Sequence, residues 1–332
     1  MALAIDSSQS DSENKIRALD DARLRSSSPN QLIWRRFLRH RAAVMGAVGI
    51  ILVMLFIVIG SLLTPVDQSI RPDPLNILAG PSFTGTAKTS AHWFGTDQIG
   101  RDIFARILYG GQISLTIAVL SLSLGTVVGI VVGGVSGYLG GWVDVVLMRF
   151  TEAILSIPSL FLLIVLGKLL VPKMPSTIQF LGRGMSGSVI VVILVIGLTS
   201  WMYGARIVRA SILSLRERDY IAASQALGAN RARILFQHLL PNTIAPIIVT
   251  ATLGLVNAIT SEAYVSFLGL GVQDPPTASW GNMISQSLNH MQKTPPVWWM
   301  WFFPGIFITL TVLFINFVGD GLRDALDPRR RM

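Results

Sequence analysis

The chain has 332 residues, 51% of them hydrophobic and only 14% charged, with a formal charge of +9 and a mean hydropathy of +0.58. A soluble domain carries about 25% charged residues, so this balance argues against a soluble protein and for a membrane one. The basic residues flank apolar runs and form no single patch, which reads as membrane topology, not nucleic-acid binding; the lack of cysteine excludes disulfides, thiolate metal sites and cysteine nucleophiles.

In chain order, residues 1–30 mix Asp, Ser and Arg, include "SSSP" at 26–29 and hold no apolar core of the signal-peptide kind. A disordered cytoplasmic tail is expected over 1–33. Residues 42–63 carry no charge and make the first span, since a membrane helix needs about 20 apolar residues. An extracytoplasmic segment follows, to residue 112. In it "FGTDQIGRD" at 94–102 predicts a short amphipathic helix capped by Thr96 or Asp97, with Ile103, Phe104, Ile107 and Leu108 inward. That reads as structural, with a binding-protein surface as the alternative.

The core is expected over 113–318, as five further helices. The second span is 113–138, where glycines 125, 129, 133, 134 and 137 recur about every four residues, the signature of close helix packing. The third is 153–170 and contains Pro158; the fourth is 188–203; the fifth, 243–268, contains Glu262; the sixth is 297–318. A tail is expected over 319–332. Trp298, Trp299 and Trp301 read as an interfacial aromatic belt.

With the N-terminus cytoplasmic, about 19 of the 27 Lys and Arg fall on the cytoplasmic side and about 8 on the other. Both termini and the segment 206–242 are therefore expected in the cytoplasm. That segment reads as two short helices. Asp219 suits an N-cap, Tyr220, Ala223, Ser224 and Leu227 share one face, and Gly228 suits a left-handed stop. Asn230 suits the second cap, with Ile234, Leu235 and Leu239 on one side and Pro241 as the stop. Small residues at 222, 223, 224 and 226 let another protein approach the backbone, although a loop lying on the bilayer surface fits the same residues.

Ionisable groups at membrane depth are functional candidates. Glu262 is read either as lining a translocation pathway or as bracing the 261–271 turn, and Glu152 as lying near the interface. The four histidines (40, 92, 238, 290) are scattered, and HExxH, GxSxG and the phosphate-binding GxxxxGK[ST] are all missing. An enzyme is not expected, nor a nucleotide, metal or other cofactor in this chain.

The stretch 218–242 resembles the "EAA" loop of permease subunits in ABC importers: Glu-Ala-Ala, three residues, Gly, nine residues, Ile-x-Leu-Pro. Here Ala222, Ala223 and Ser224 are followed at the same spacing by Gly228 and by His238, Leu239, Leu240 and Pro241. The leading Glu is replaced by Ala222, the second Ala by Ser224 and the Ile by His238. "FGTDQIGRDIFARILYGGQISL" (94–115), "GYLGGWVDVVLMRFTEAILSIPSL" (137–160), "SEAYVSFLGLGVQDPPTASWGNMI" (261–284) and "GDGLRDALDPR" (319–329) are similar to the C-type permeases of dipeptide, oligopeptide and nickel importers. The likeness spans about residues 30–330.

The resemblance implies an all-α polytopic protein of the type I ABC importer permease fold, with six transmembrane helices, in a bacterial inner membrane. It implies a second, different permease subunit, two ATPase subunits that hold ATP and Mg2+, and an extracytoplasmic binding protein. Asp219, Tyr220, Ala222, Ala223, Ser224, Gly228, Ala229, Leu240 and Pro241 are then the expected ATPase-coupling residues. The chain would form half of an alternating-access route for peptides or a related small solute. The alternative is a secondary transporter or channel that works without an ATPase.

Overall fold

The computed structural model describes residues 29–83, 92–180, 183–291 and 296–326. Residues 1–28 of the expected N-terminal tail and 327–332 of the expected C-terminal one lie outside these, as does part of the loop before the last span. Helix α1 (Pro29–Arg39) falls partly inside the stretch read as tail. His40 is extended and its Nδ1 accepts from the Ala43 amide at 3.1 Å, capping α2 (Arg41–Leu63).

Helix α3 (Ile103–Leu139) starts ten residues before the apolar run predicts. The residues expected in a separate amphipathic helix, Ile103, Ile107 and Leu108, are its buried first turns. Its cap is Asp102, which accepts from the Ala105 amide at 2.8 Å, and not Thr96 or Asp97. Gly110 and Gly111 weaken the local propensity, yet the helix runs through them; at Gly111 the Trp280 ring occupies the space a Cβ would need.

The third span is a bent pair, α4 (Gly141–Leu155) and α5 (Ser159–Leu170), with an 85° change of direction between them. Pro158 sits at the break: it lacks an amide proton and pushes Ile157 away from helical geometry. After a short hairpin, β1 (Ile178–Phe180) with β2 (Arg183–Met185), come α6 (Ser188–Arg216) and α7 (Asp219–Ala226). Next are α8 (Ile244–Phe267), α9 (Trp280–Ser287) and α10 (Trp299–Leu326). The last of these runs through the first eight residues read as tail. Among the described residues five helices are long and apolar enough to cross a membrane, or six where the bent pair counts as one span.

Helices α3 and α6 form the central pair. A Cβ on Gly129 would lie 3.0 Å from the Trp201 carbonyl oxygen and one on Gly137 3.0 Å from that of Arg209; Gly133 faces the backbone of Ala205. Glycine every fourth residue thus brings two backbones into contact, where apolar side chains alone would gain nothing over lipid. A second core closes one end of the bundle. The Trp280 ring is wholly buried among Ile57, Ile103, Ile107 and Met283, and its Nε1 donates to the Ile107 carbonyl at 3.0 Å. Trp299 belongs to this core and not to an interfacial belt: it is 8% exposed, and its Nε1 donates to the Thr96 carbonyl. Trp298 and Trp301 are the exposed members of the trio.

Candidate functional site

Three features stand out: the loop at one end of the bundle, a groove inside it, and a charged knot at the other end.

The loop follows α6 directly. Arg218, extended, precedes α7, so Asp219 is the first helical residue and makes no capping hydrogen bond. Its charge still complements the helix N-terminus. Ile221 is fully buried and holds the helix down against Ile212, Ile234 and Leu239. The opposite side is open: Tyr220 is 42% and Leu227 89% exposed, Ala222, Ala223 and Gln225 are exposed, and Ser224 is half-buried. Gly228 has φ +83° with nothing within 4 Å of where its Cβ would be. The Ala229 amide donates back to the Ser224 carbonyl at 3.0 Å, closing the C-terminal turn, and Ala229 itself packs on the Ile221 cluster.

The second helical piece begins at Asn230, whose side chain accepts from the Arg233 amide at 2.7 Å. It widens to a π-turn over Ile234–Leu239 before Pro241. Pro241 cannot donate, and side chains fill in: Asn242 Nδ2 donates to the His238 carbonyl at 2.6 Å and Thr243 Oγ1 to that of Leu240 at 2.8 Å. Leu240 is half-buried and Pro241 exposed. The loop is therefore packed on α6 through Ile221 and Ile212. Beside it Arg209 Nη2 donates to Asp144 at 2.6 Å, with a second bond from Nε, tying α6 to α4.

The groove, of about 430 Å3, lies between α3, α5, α6 and α8. Its lining carries hydroxyls and one amide, including Thr126, Ser159, Ser200, Thr250, Asn257 and Ser261, and no acidic or basic group. Thr250, Gly254, Asn257 and Ser261 recur at three- and four-residue spacing on α8, a polar stripe visible in the sequence once helical periodicity is applied. Glu262 points elsewhere. It is 1% exposed and accepts from Ser114 Oγ at 2.9 Å and Ser266 Oγ at 2.8 Å. Those hydroxyls in turn accept from the Trp280 and Val272 amides. One carboxylate thereby joins α3, α8, the following turn and the start of α9.

The charged knot was not legible as such. Asp97 accepts from the side chains of Arg101 and Arg106, and from the Ile99 and Arg101 amides. Both guanidiniums then reach across to Asp274 and Gln286. All four charged groups are at most 3% exposed. Burial works to raise the Asp97 carboxyl, but the facing charges of Arg106 and Arg101 and its hydrogen bonds prevail and hold it below the usual carboxylate range. Among the described residues no three His, Asp or Glu come together as a metal site.

Residues 125–332 match the family described as binding-protein-dependent transport system inner membrane component, and residues 28–81 match the N-terminal TM domain of oligopeptide transport permease C. The chain belongs to this permease family. A Brucella suis protein named as a peptide permease is 39% identical over 96% of this chain and 97% of its own length. The dipeptide transport system permease protein DppC of Bacillus subtilis is 38% identical over 96% and 92%, and OppC, the oligopeptide transport system permease protein of the same organism, 38% over 89% and 88%. A solved structure, an inward-facing conformation of the MetNI methionine ABC transporter, covers 68% of this chain and 98% of its own with a TM-score of 0.51 at 20% identity, which shows a shared fold. The protein is a permease subunit of an ATP-driven importer.

Proposed function

We propose that this subunit imports peptides, or a small solute of related chemistry, with a second, different permease subunit, two ATPase subunits and an extracytoplasmic binding protein. Its relatives' names support peptides. Both termini and the 206–242 loop face the cytoplasm of a bacterial inner membrane, as the basic asymmetry argues. ATP and Mg2+ are handled by the ATPases.

The coupling element is the loop, and one observation carries this reading. A helix pinned from within by Ile221 presents a small-residue face, a Leu227 that is 89% exposed, and an open Gly228 turn. A pinned helix moves as a body with α6, so a push from an ATPase is transmitted to the span and is not absorbed in the loop. Tyr220, Ala222, Ala223 and Gly228 form the contact. Ser224, Ala229 and Leu240 set its shape, while Asp219 and Pro241 mark its two ends. The hydroxyl-lined groove is this subunit's share of the route, and Glu262 braces its wall without lining it.

The test is Gly228→Val beside Gly228→Asn. Valine is penalised at positive φ by about 1–2 kcal/mol; asparagine tolerates that backbone, yet still places bulk on the contact face. Both variants should insert and pair normally. Both should lower recovery of the ATPases on a tagged permease, or sever ATP hydrolysis from uptake. Wild-type recovery, stimulated ATPase rate and uptake in both would remove the loop from the coupling role.

A further inference from the structure

Helix α1 has an unusual environment for a segment ahead of a membrane span. Phe37 is 6% exposed and, with Ile33, packs against Ala43, Leu322 and Ala325. This edge fixes α1 to the start of α2 and the end of α10. At 100° per residue, Trp34 and Leu38 lie just round from it, and they are 62% and 51% exposed. Arg35 and Arg39 come next round the helix, and both are exposed. Arg41, the first residue of α2, is exposed as well. The carboxylate of Asp324 at this junction lies 3.7 Å from His40 Nε2.

Depth is set by α2. It carries the apolar run of a membrane span and begins two residues after α1 ends, so α1 and Arg41 sit at the membrane face where α2 enters. The exposed edge of α1 continues into side chains of α2 that are themselves open, Met45 at 58% and Val48 at 50%. An indole and a leucine level with the acyl boundary, bordered by guanidiniums, are what a helix lying in the interface presents. Guanidinium is also the cation whose planar fork matches a phosphate.

We propose that α1 and Arg41 form a binding site for anionic phospholipid headgroups: Arg35, Arg39 and Arg41 hold the phosphate while Trp34 and Leu38 enter the acyl layer. The site would anchor the end of α10 through Phe37, and so fix the face of the bundle from which α2 and α10 rise. It does not depend on which side of the membrane that face occupies.

Two measurements test it on the full chain. In the first, delipidated protein is titrated with phosphatidylglycerol or phosphatidylcholine and bound lipid is counted by native mass spectrometry. Phosphatidylglycerol should be preferred, and the preference should fall by about five-fold for each arginine removed in the series R35Q, R39Q, R41Q. An unchanged preference in the triple variant overturns the proposal. In the second, needed should the triple variant fold poorly, the absence of cysteine makes Leu38→Cys a unique labelling position. In nanodiscs a fluorophore there should be quenched by a nitroxide on the lipid tails and spared by aqueous iodide. Quenching by iodide, or protection from both, means that water or another protein covers this edge, and either result refutes the site.

Discussion

Removing Asp274 should be strongly damaging at the charged end of the bundle. Its two carboxylate oxygens take Arg101 Nη1 at 2.9 Å and Arg106 Nη2, from guanidiniums that are 2% and 1% exposed. Asp274→Ala leaves two buried cations sharing Asp97 and the neutral Gln286. Breaking a buried pair from one side costs about 3–5 kcal/mol. At roughly 2–4 °C per kcal/mol, taken from large soluble domains, the melting temperature of the purified protein should fall by roughly 6–20 °C. Replacing Arg106 together with Asp274, each by Met, leaves Arg101 and Asp97 as a balanced pair. That double variant should recover much of the loss, since a buried ion pair is often nearly neutral against apolar residues of similar volume. The readout is thermal unfolding of single and double variants in the same detergent. If the double variant melts no higher than Asp274→Ala, or if Asp274→Ala shifts the midpoint by less than about 2 °C, the knot is not held by charge balance and the reasoning is wrong.

Three further outcomes follow from the same geometry. Gly133→Leu should separate α3 from α6, because its Cβ would meet the Ala205 backbone and the Val208 side chain; overpacking of this kind costs about 1–3 kcal/mol, and a normal yield of folded protein with unchanged melting would contradict it. Glu262→Gln should lower the melting temperature, by about 1–3 kcal/mol of lost buried hydrogen bonding, while leaving the half-saturating substrate concentration of uptake unchanged; a large change in that concentration at normal stability would put Glu262 on the route. The Asp97 carboxyl is depressed in the folded state, so its contribution is present in full above the unfolded value of about 3.9 and is lost as pH falls through the lower folded value. Wild-type protein should therefore show an extra loss of stability below about pH 4 that Asp97→Asn lacks, and parallel melting profiles of the two from pH 7 to pH 3 would sink that assignment.

The sequence by itself determined the membrane class and where the apolar runs lie along the chain, because hydrocarbon imposes one constraint on every span and leaves it in the composition. The run of apolar residues needs no partner to be read. The same holds for the local chemistry of the loop: a glycine where φ is +83° and an Asn230 cap are decided within a few residues of chain. The spacing of Gly125, Gly129, Gly133 and Gly137 announced a close contact, but only the fold named α6 as the partner. Helix limits were misplaced where side-chain polarity and backbone continuity part company. Arg106 is as polar as a residue can be, yet it lies inside α3, because Asp97 and Asp274 meet it there from 9 and 168 residues away. Trp299 looked like a belt residue for the same reason, since its partner Thr96 is 203 residues distant. Glu262 marks the limit most sharply. Its sequence environment says only that a carboxyl lies at membrane depth, and whether it faces a route or a wall depends on Ser114, 148 residues earlier. Burial and hydrogen bonding across such distances are properties of the packed bundle, so the tertiary structure alone decided them.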